Sequence, residues 1–388
     1  MTEKALTLCV HIEALGWEAA RRSSFLDDVL VHKSHLGTVF GPGTGGEPTV
    51  LTGRLPRDHG CFATFIFDPV HPLFRFRLLL RLLPGSFGSK KAVREKITRL
   101  LRLQFRCTGR FDLHNLPLPL LHLMDSTERH DIYRRSGIPG DCPTLFDLLA
   151  AQGLPCARSD WRRGETDNIA AIAREIATGQ PVFAYLSLPG LDALLHAGGT
   201  KAAGLAEKLA WYEEQLRELC RVANSRYDAT RLFVFSTFGM TDVSGHCDLM
   251  ARIEATGLKF GTDYGAVYDS TLARFWILRA GVQERIRQAL AAEPHGRIVT
   301  DVELEAWGAD FPERRYGELF FLLNPGIMLC PSHMEAAPLA GMHGYAPQHA
   351  GSVATFMTNV KPAKTPRRLE ELHGLILEAA GVKPGGPR

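Results

Sequence analysis

The chain has 388 residues, 45% of them apolar and 22% charged, with a net charge of +3. This length and apolar content exclude a disordered chain and supply a sizeable core, while so small a net charge gives no reason to expect nucleic acid as a partner. The eight cysteines, at 9, 61, 107, 142, 156, 220, 247 and 330, show no Cys-x-x-Cys spacing, which excludes a zinc knuckle or thioredoxin-type motif and fits a reducing compartment.

The N-terminus enters an apolar segment at once, without a basic region or cleavage site, so neither a signal peptide nor a transmembrane helix is expected, and a cytoplasmic location is. Residues 5–12, Ala-Leu-Thr-Leu-Cys-Val-His-Ile, read as a buried strand that ends at Glu13. A helix over 15–26 and a short strand over 38–40 follow. Then comes a turn-rich loop, Gly41-Pro-Gly-Thr-Gly-Gly-Glu-Pro48, with a helix start near 49–53. Glu47 reads equally well as a loop carboxylate of no consequence.

Residues 75–110 carry eleven Lys or Arg against one acidic residue, Glu95. A helix over 89–106 has Val93, Ile97, Leu100, Leu101 and Gln104 along one stripe. This is either a core-facing helix with a solvated basic face or a weak contact surface for an anionic membrane. Helices over 141–153 and 167–178 precede an apolar strand at 181–188. Directly after it, Leu191-Asp-Ala-Leu-Leu-His-Ala-Gly-Gly-Thr200 places Asp192 and His196 four residues apart, on one side of a helical turn. A long helix over 205–223 and a buried strand over 231–236 complete a βα alternation. That alternation implies a mainly parallel sheet covered on both faces, whose site lies outside the strands' C-terminal ends. Glu13, the 41–48 loop, Asp192 and Thr237 all fall at such ends.

From 241 to 335 the texture changes to shorter elements: strands over 270–278, 297–300 and 317–323, and helices over 282–292 and 301–307. This reads as an α+β cap inserted in a core made of 1–240 and 336–388. The chain returns at Gly341-Met-His-Gly-Tyr345 and ends with a helix near 367–380. Asp242, His246 and Asp248 lie in a polar stretch at the cap boundary, either as a solvated hinge or as replacement ligands.

Taken in order, the strand ending in Glu13, the segment Pro48-Thr-Val-Leu-Thr-Gly53 leading to Asp58-His-Gly60, the pair Asp192 and His196, and Met342-His-Gly-Tyr345 resemble the alkaline phosphatase superfamily, in its type I phosphodiesterase/nucleotide pyrophosphatase branch. The resemblance spans about residues 5–360. It implies an α/β/α sandwich with a small α+β cap and a two-metal, usually zinc, displacement at phosphorus with a Ser or Thr nucleophile. Carried over, one metal site is complete in Asp192, His196 and His343, with an open position for water or substrate. The other is not: Glu13 stands where an Asp is expected, and Thr237-Phe238-Gly239 replaces Asp-His-Gly. The expected nucleophile position falls on Gly43, with Thr44 adjacent. The resemblance therefore implies one zinc ion rather than two, with Glu13 as base or ligand and Thr44 as nucleophile, acting on a small phosphodiester, pyrophosphate or related ester. The alternative is an inactive pseudoenzyme that binds a phosphorylated ligand or a partner protein.

Overall fold

A computed structural model describes residues 4–74, 91–138 and 141–382. Ten strands build the two sheets that frame the site: β1 (Ala5–Ile12), β2 (His32–Leu36), β3 (Cys156–Arg158), β4 (Phe183–Leu188), β5 (Ala229–Phe235), β6 (Tyr264–Tyr268), β7 (Leu272–Ile277), β8 (Gly296–Ile298), β9 (Leu319–Leu323) and β10 (Ala354–Thr358). The central sheet runs β2-β10-β5-β1-β4-β3. β1 lies parallel to both β4 and β5, β3 lies parallel to β4, and β10 is antiparallel to its neighbours.

Alternation along β1 divides the core. Leu6, Leu8, Val10 and Ile12 pack with Ile169, Ile172, Ile176, Leu216 and Leu219 of helices Glu165–Thr178 and Leu205–Asn224 on one face. Cys9 joins Tyr185, Phe233 and Phe235 on the other, beneath Val50, Leu51 and Leu372 of helices Gly46–Thr52 and Glu371–Ala379. The period of two along a strand makes this partition unavoidable. It also turns His11, of the same parity as Cys9, toward the Gly46–Thr52 side. With helices on both faces, the sandwich is the fold that the βα alternation implies.

β6, β7, β9 and β8 form a separate antiparallel sheet in the order β6-β7-β9-β8. It has its own apolar cluster, in which Tyr264, Phe275 and Phe321 pack with Ile286 and Leu290 of helix Val282–Ala291. β9 pairs with β7 and β8, not with the central sheet.

Two expected elements moved. The helix over 15–26 shrinks to Trp17–Ala20 and passes into turns at 21–29, with positive φ at Ala14 and Leu26 (63° and 50°) in the flanking segments. The strand expected at 38–40 forms instead at His32–Leu36, a half-exposed edge strand whose His-Lys-Ser-His sequence carries no apolar run. Residues 38–40 are drawn away from pairing, and Thr38 Oγ1 donates to the Thr237 carbonyl at 2.6 Å.

Residues 75–90 of the basic stretch lie outside the described residues. Helix Lys91–Gln104 buries Thr98 and Leu101 and packs Ile97 inward, but leaves Leu100 exposed, so the buried stripe is narrower than its sequence suggests. Two of its basic side chains serve the fold: Arg94 donates to the carbonyls of Leu113, His114 and Leu116, and Arg102 to that of Phe111. No described helix is long and apolar enough to cross a membrane.

The cap sheet is tied to the core by Arg274 on β7, which is fully buried. Its Nε donates to Asp269 Oδ2 at 2.9 Å and its Nη2 to the Phe65 carbonyl at 2.8 Å. Removing one member of a buried pair leaves the other charge uncompensated. Arg274→Ala is expected to destabilise the protein by about 3–5 kcal/mol, read from urea denaturation. A loss below about 1 kcal/mol, the ceiling for an exposed pair, would show that water reaches this pair.

Candidate active site

The C-terminal ends of β1, β4 and β5 open into a cavity of about 440 Å³, a volume typical of small-ligand sites. Its floor carries His11, Glu13, Thr237 and Phe238; the glycine loop contributes Gly43, Thr44 and Glu47. Arg110 and Trp161 lie along one side, and Asp269, Ser270 and Thr271 reach in from the cap.

Asp192 and His196 project from helix Gly190–Gly198, which begins just beyond β4. Asp192 Oδ2 lies 3.3 Å from His196 Nε2, and its Oδ1 lies 3.7 Å from His343 Nε2. Among the described residues, Asp192, His196 and His343 form the one group of three or more His, Cys, Asp or Glu with ligand atoms all within 4.8 Å of one another. His196 Nδ1 lies 2.8 Å from the Gly341 carbonyl. A carbonyl only accepts, so Nδ1 carries a proton and Nε2 is the atom left facing Asp192, the orientation of a metal-binding histidine; burial lowers this imidazole's pKa, but the hydrogen bond and charge of Asp192 outweigh it and raise it. Burial pushes the His343 imidazole down to about 4, which leaves it neutral. Asp192 Oδ1 and His343 Nδ1 are buried without a hydrogen-bond partner. One carboxylate, two imidazoles and these unmet polar atoms fit a divalent ion of the zinc type.

The late motif is anchored from two sides. The strand Gly341–Met342 pairs with Thr241–Asp242, just beyond β5. Thr271 Oγ1 from the cap donates to the Gly344 carbonyl at 2.9 Å. Gly344 has φ +88°, and a Cβ there would sit 2.8 Å from Thr271 Oγ1, so this junction admits only glycine.

On one side His343 faces carbon rather than further ligand atoms. The Phe238 ring stacks on His343, with centroids 4.0 Å apart and planes 23° apart. Gly43, at φ +115°, comes so close that a Cβ would lie 2.7 Å from His343 Cε1. The Phe238 ring and the Gly43 backbone therefore share one space beside His343. Residues 43, 237 and 238 do not fit a second ion.

Glu13 lines the cavity but falls outside the three-residue ligand group. Burial, followed by the neighbouring Asp192 carboxylate, pushes its carboxyl up to about 7. Thr44 also lines the cavity, yet its hydroxyl donates to the Phe62 carbonyl at 2.6 Å, so the proton a nucleophile must shed is already engaged. Asp242 accepts from the Thr200 hydroxyl, Asp248 caps helix Leu249–Glu254, and His246 is exposed; none of the three lines the cavity.

Glu47 departs most from its sequence reading. Its Oε1 accepts from Tyr133 Oη at 2.6 Å and Tyr185 Oη at 2.7 Å, and it lies 3.4 Å from His11 Nδ1. His11 Nε2 in turn lies 3.3 Å from Thr237 Oγ1. Burial works against the Glu47 charge, but His11, Arg110 and the Tyr133 hydroxyl outweigh it and hold the carboxyl down at about 2. His11 was missed although it left a signal, an imidazole in an otherwise apolar strand. Arg110, Tyr133 and Tyr185 left none.

A carboxylate and two imidazoles at the C-terminal edge of a capped α/β/α sandwich define a protein of the alkaline phosphatase superfamily. The chain belongs to the type I phosphodiesterase / nucleotide pyrophosphatase family, whose sequence model matches residues 127–346. Among solved structures it is similar to murine ectonucleotide pyrophosphatase / phosphodiesterase 5, with a TM-score of 0.70 and 16% identity over 99% of this chain and 97% of that one. The human counterpart gives 0.70 and 15% over 99% and 96%. An inactive variant of the murine protein in complex with AMP is equally similar, with a TM-score of 0.70. A search of curated proteins finds no match.

Two outcomes follow from this geometry. Gly43→Ser, which formally restores a hydroxyl at the expected nucleophile position, should weaken rather than improve ion binding, by roughly tenfold, because strain of about 1–3 kcal/mol falls on His343. Zinc titration of the variant checks this, and an unchanged or raised affinity would mean the loop has room to spare. Glu47→Gln keeps an acceptor for both tyrosines and removes only the charge. A depressed carboxyl stabilises the fold above its ordinary value of 4.5 and loses that contribution as pH falls toward 2. The variant should therefore be less stable by on the order of 2 kcal/mol at neutral pH, with the gap closing between those two values. A constant gap in pH-dependent urea titrations would remove the charge from the explanation.

Proposed function

We propose that this chain is a phosphoester hydrolase that works with a single zinc-type ion on a nucleotide phosphodiester or pyrophosphate. The observation that carries the reading is the meeting of Asp192, His196 and His343. They come from a helix after β4 and a loop some 150 residues later, and they meet beside a cavity that His196 and His343 line, in a phosphodiesterase family member. The AMP complex of the murine relative supports a nucleotide as the substrate class.

A divalent ion on these three residues supplies Lewis-acid polarisation of a phosphoryl oxygen. The chain's own groups do the rest. Arg110, exposed at the cavity wall, offers a guanidinium to the remaining phosphoryl oxygens. Trp161 gives that wall a flat face against which a base can lie. Glu13, at the end of β1, is placed to take a proton from the water that completes hydrolysis. The Thr44 hydroxyl, engaged with Phe62, holds the glycine loop in place rather than attacking. A cytoplasmic location, and a weak anionic membrane contact through 75–110, stand as further proposals; the exposed Leu100 and Leu103 of helix Lys91–Gln104 support the second.

Elemental analysis after dialysis should find one zinc per chain, and His343→Ala should lose it. Hydrolysis of bis(4-nitrophenyl) phosphate should stop on chelation and return with zinc. Two retained ions would contradict the single-ion reading. Tight AMP binding with no turnover would replace it with the binding-only alternative, which Phe238 in the second metal position favours.

A further inference from the structure

The half of the cavity that lacks a second ion is not inert. Thr237, His11 and Glu47 come from three separate segments and stand in the order hydroxyl, imidazole, carboxylate. Thr237 Oγ1 is 3.3 Å from His11 Nε2, and His11 Nδ1 is 3.4 Å from Glu47 Oε1. We propose that Thr237, His11 and Glu47 form a nucleophile–base–carboxylate relay that takes over the attack on phosphorus from the missing second ion and the missing hydroxyl at 43.

Three features show that the arrangement is built. First, each member is held. The His11 ring stacks on Phe235, with centroids 5.2 Å apart and planes 15° apart, which fixes its plane. The Thr237 carbonyl accepts from Thr38 Oγ1 at 2.6 Å. Glu47 is gripped by two tyrosine hydroxyls. Second, His11 Nδ1 is a buried atom without a hydrogen-bond partner of its own, and the carboxylate oxygen beside it is Glu47's. A small closure of the 3.4 Å gap gives the imidazole its partner, and such contacts commonly tighten only when substrate is bound. Third, Gly46 is required here: a Cβ on it would lie 2.6 Å from Thr237 Cβ, so the helix carrying Glu47 packs directly on the proposed nucleophile. A hydroxyl on an imidazole that is oriented by a third group is the general pattern of an activated nucleophile.

The chemistry balances without a further reactant. Thr237 Oγ forms a bond to phosphorus as the bond from phosphorus to the leaving oxygen breaks. The Oγ proton passes to His11 Nε2, and the imidazolium returns it to the departing alkoxide. Water then attacks phosphorus and the Oγ–P bond breaks. One water proton restores the Thr237 hydroxyl, and the other leaves through Glu13. Glu47 stays ionised throughout and offsets the imidazolium charge, as its depressed pKa of about 2 requires.

For its substrate the relay rests on the phosphoester reading; its existence does not depend on it. The test therefore pairs two measurements on the full chain loaded with zinc: mass spectrometry of the adduct formed with a fluorophosphonate, which needs only an activated hydroxyl and releases fluoride, and turnover of bis(4-nitrophenyl) phosphate. The expected result is one adduct on Thr237, absent in Thr237→Val, retained in Thr237→Ser, and formed at least roughly 100-fold more slowly in His11→Gln. Zinc content should be unchanged in both Thr237 variants, so the serine variant separates loss of the hydroxyl from misfolding. Turnover with no adduct on Thr237, or with the adduct on Thr44, overturns the relay and leaves the hydrolase standing. An adduct on Thr237 without phosphodiester turnover upholds the relay and removes the phosphoester reading. Neither adduct nor turnover removes both.

Discussion

The buried carboxylate of Glu47 is the constraint on which the site depends. A charge taken out of water is tolerated only where partners replace its hydration. Here the replacements come from Tyr185 on β4, Tyr133 on the segment before helix Leu145–Ala151, and His11 on β1. To satisfy one side chain, the sheet, the glycine loop and that segment must stand in a fixed relation. Satisfying it also draws His11 beneath Thr237, and so shapes the floor of the cavity.

A second constraint is steric. His343 receives the Phe238 ring on one side and the Gly43 backbone on another. Protein interiors do not leave a volume empty when a side chain is exchanged. The Phe238 ring fits against His343 because residue 43 is a glycine, with no Cβ to fill the same space. The Asp192, His196 and His343 group is untouched because its members are oriented from elsewhere: by helix Gly190–Gly198, by the Gly341 carbonyl, and by the cap through Thr271.

The cap connects to both. Arg274 fixes Asp269 at the cavity edge, and the neighbouring Thr271 holds the turn that carries His343. A cap sheet with its own apolar cluster can therefore position the third ligand without joining the central sheet.

The sandwich was legible in the sequence, and its motifs marked Asp192, His196 and His343, which the fold brings together. Apolar strands alternating with amphipathic helices admit few arrangements, and Asp192 and His196 share a helical turn by spacing alone. β1 and the long helices were legible to within a residue or two, because their burial patterns repeat. Edge strand β2 was not, since pairing with β10 rather than hydrophobicity makes it a strand. Nor was the role of Glu47 legible. Nothing in Gly-Gly-Glu-Pro distinguishes a solvated loop carboxylate from a buried one, and the difference lies in two tyrosines 86 and 138 residues away. His11 showed only as an odd residue in an apolar run. Its partners became visible when strand parity and helix packing turned it toward Glu47. Local pattern determines which face a residue occupies; what waits on that face is decided by long-range packing, and only the tertiary structure contains it.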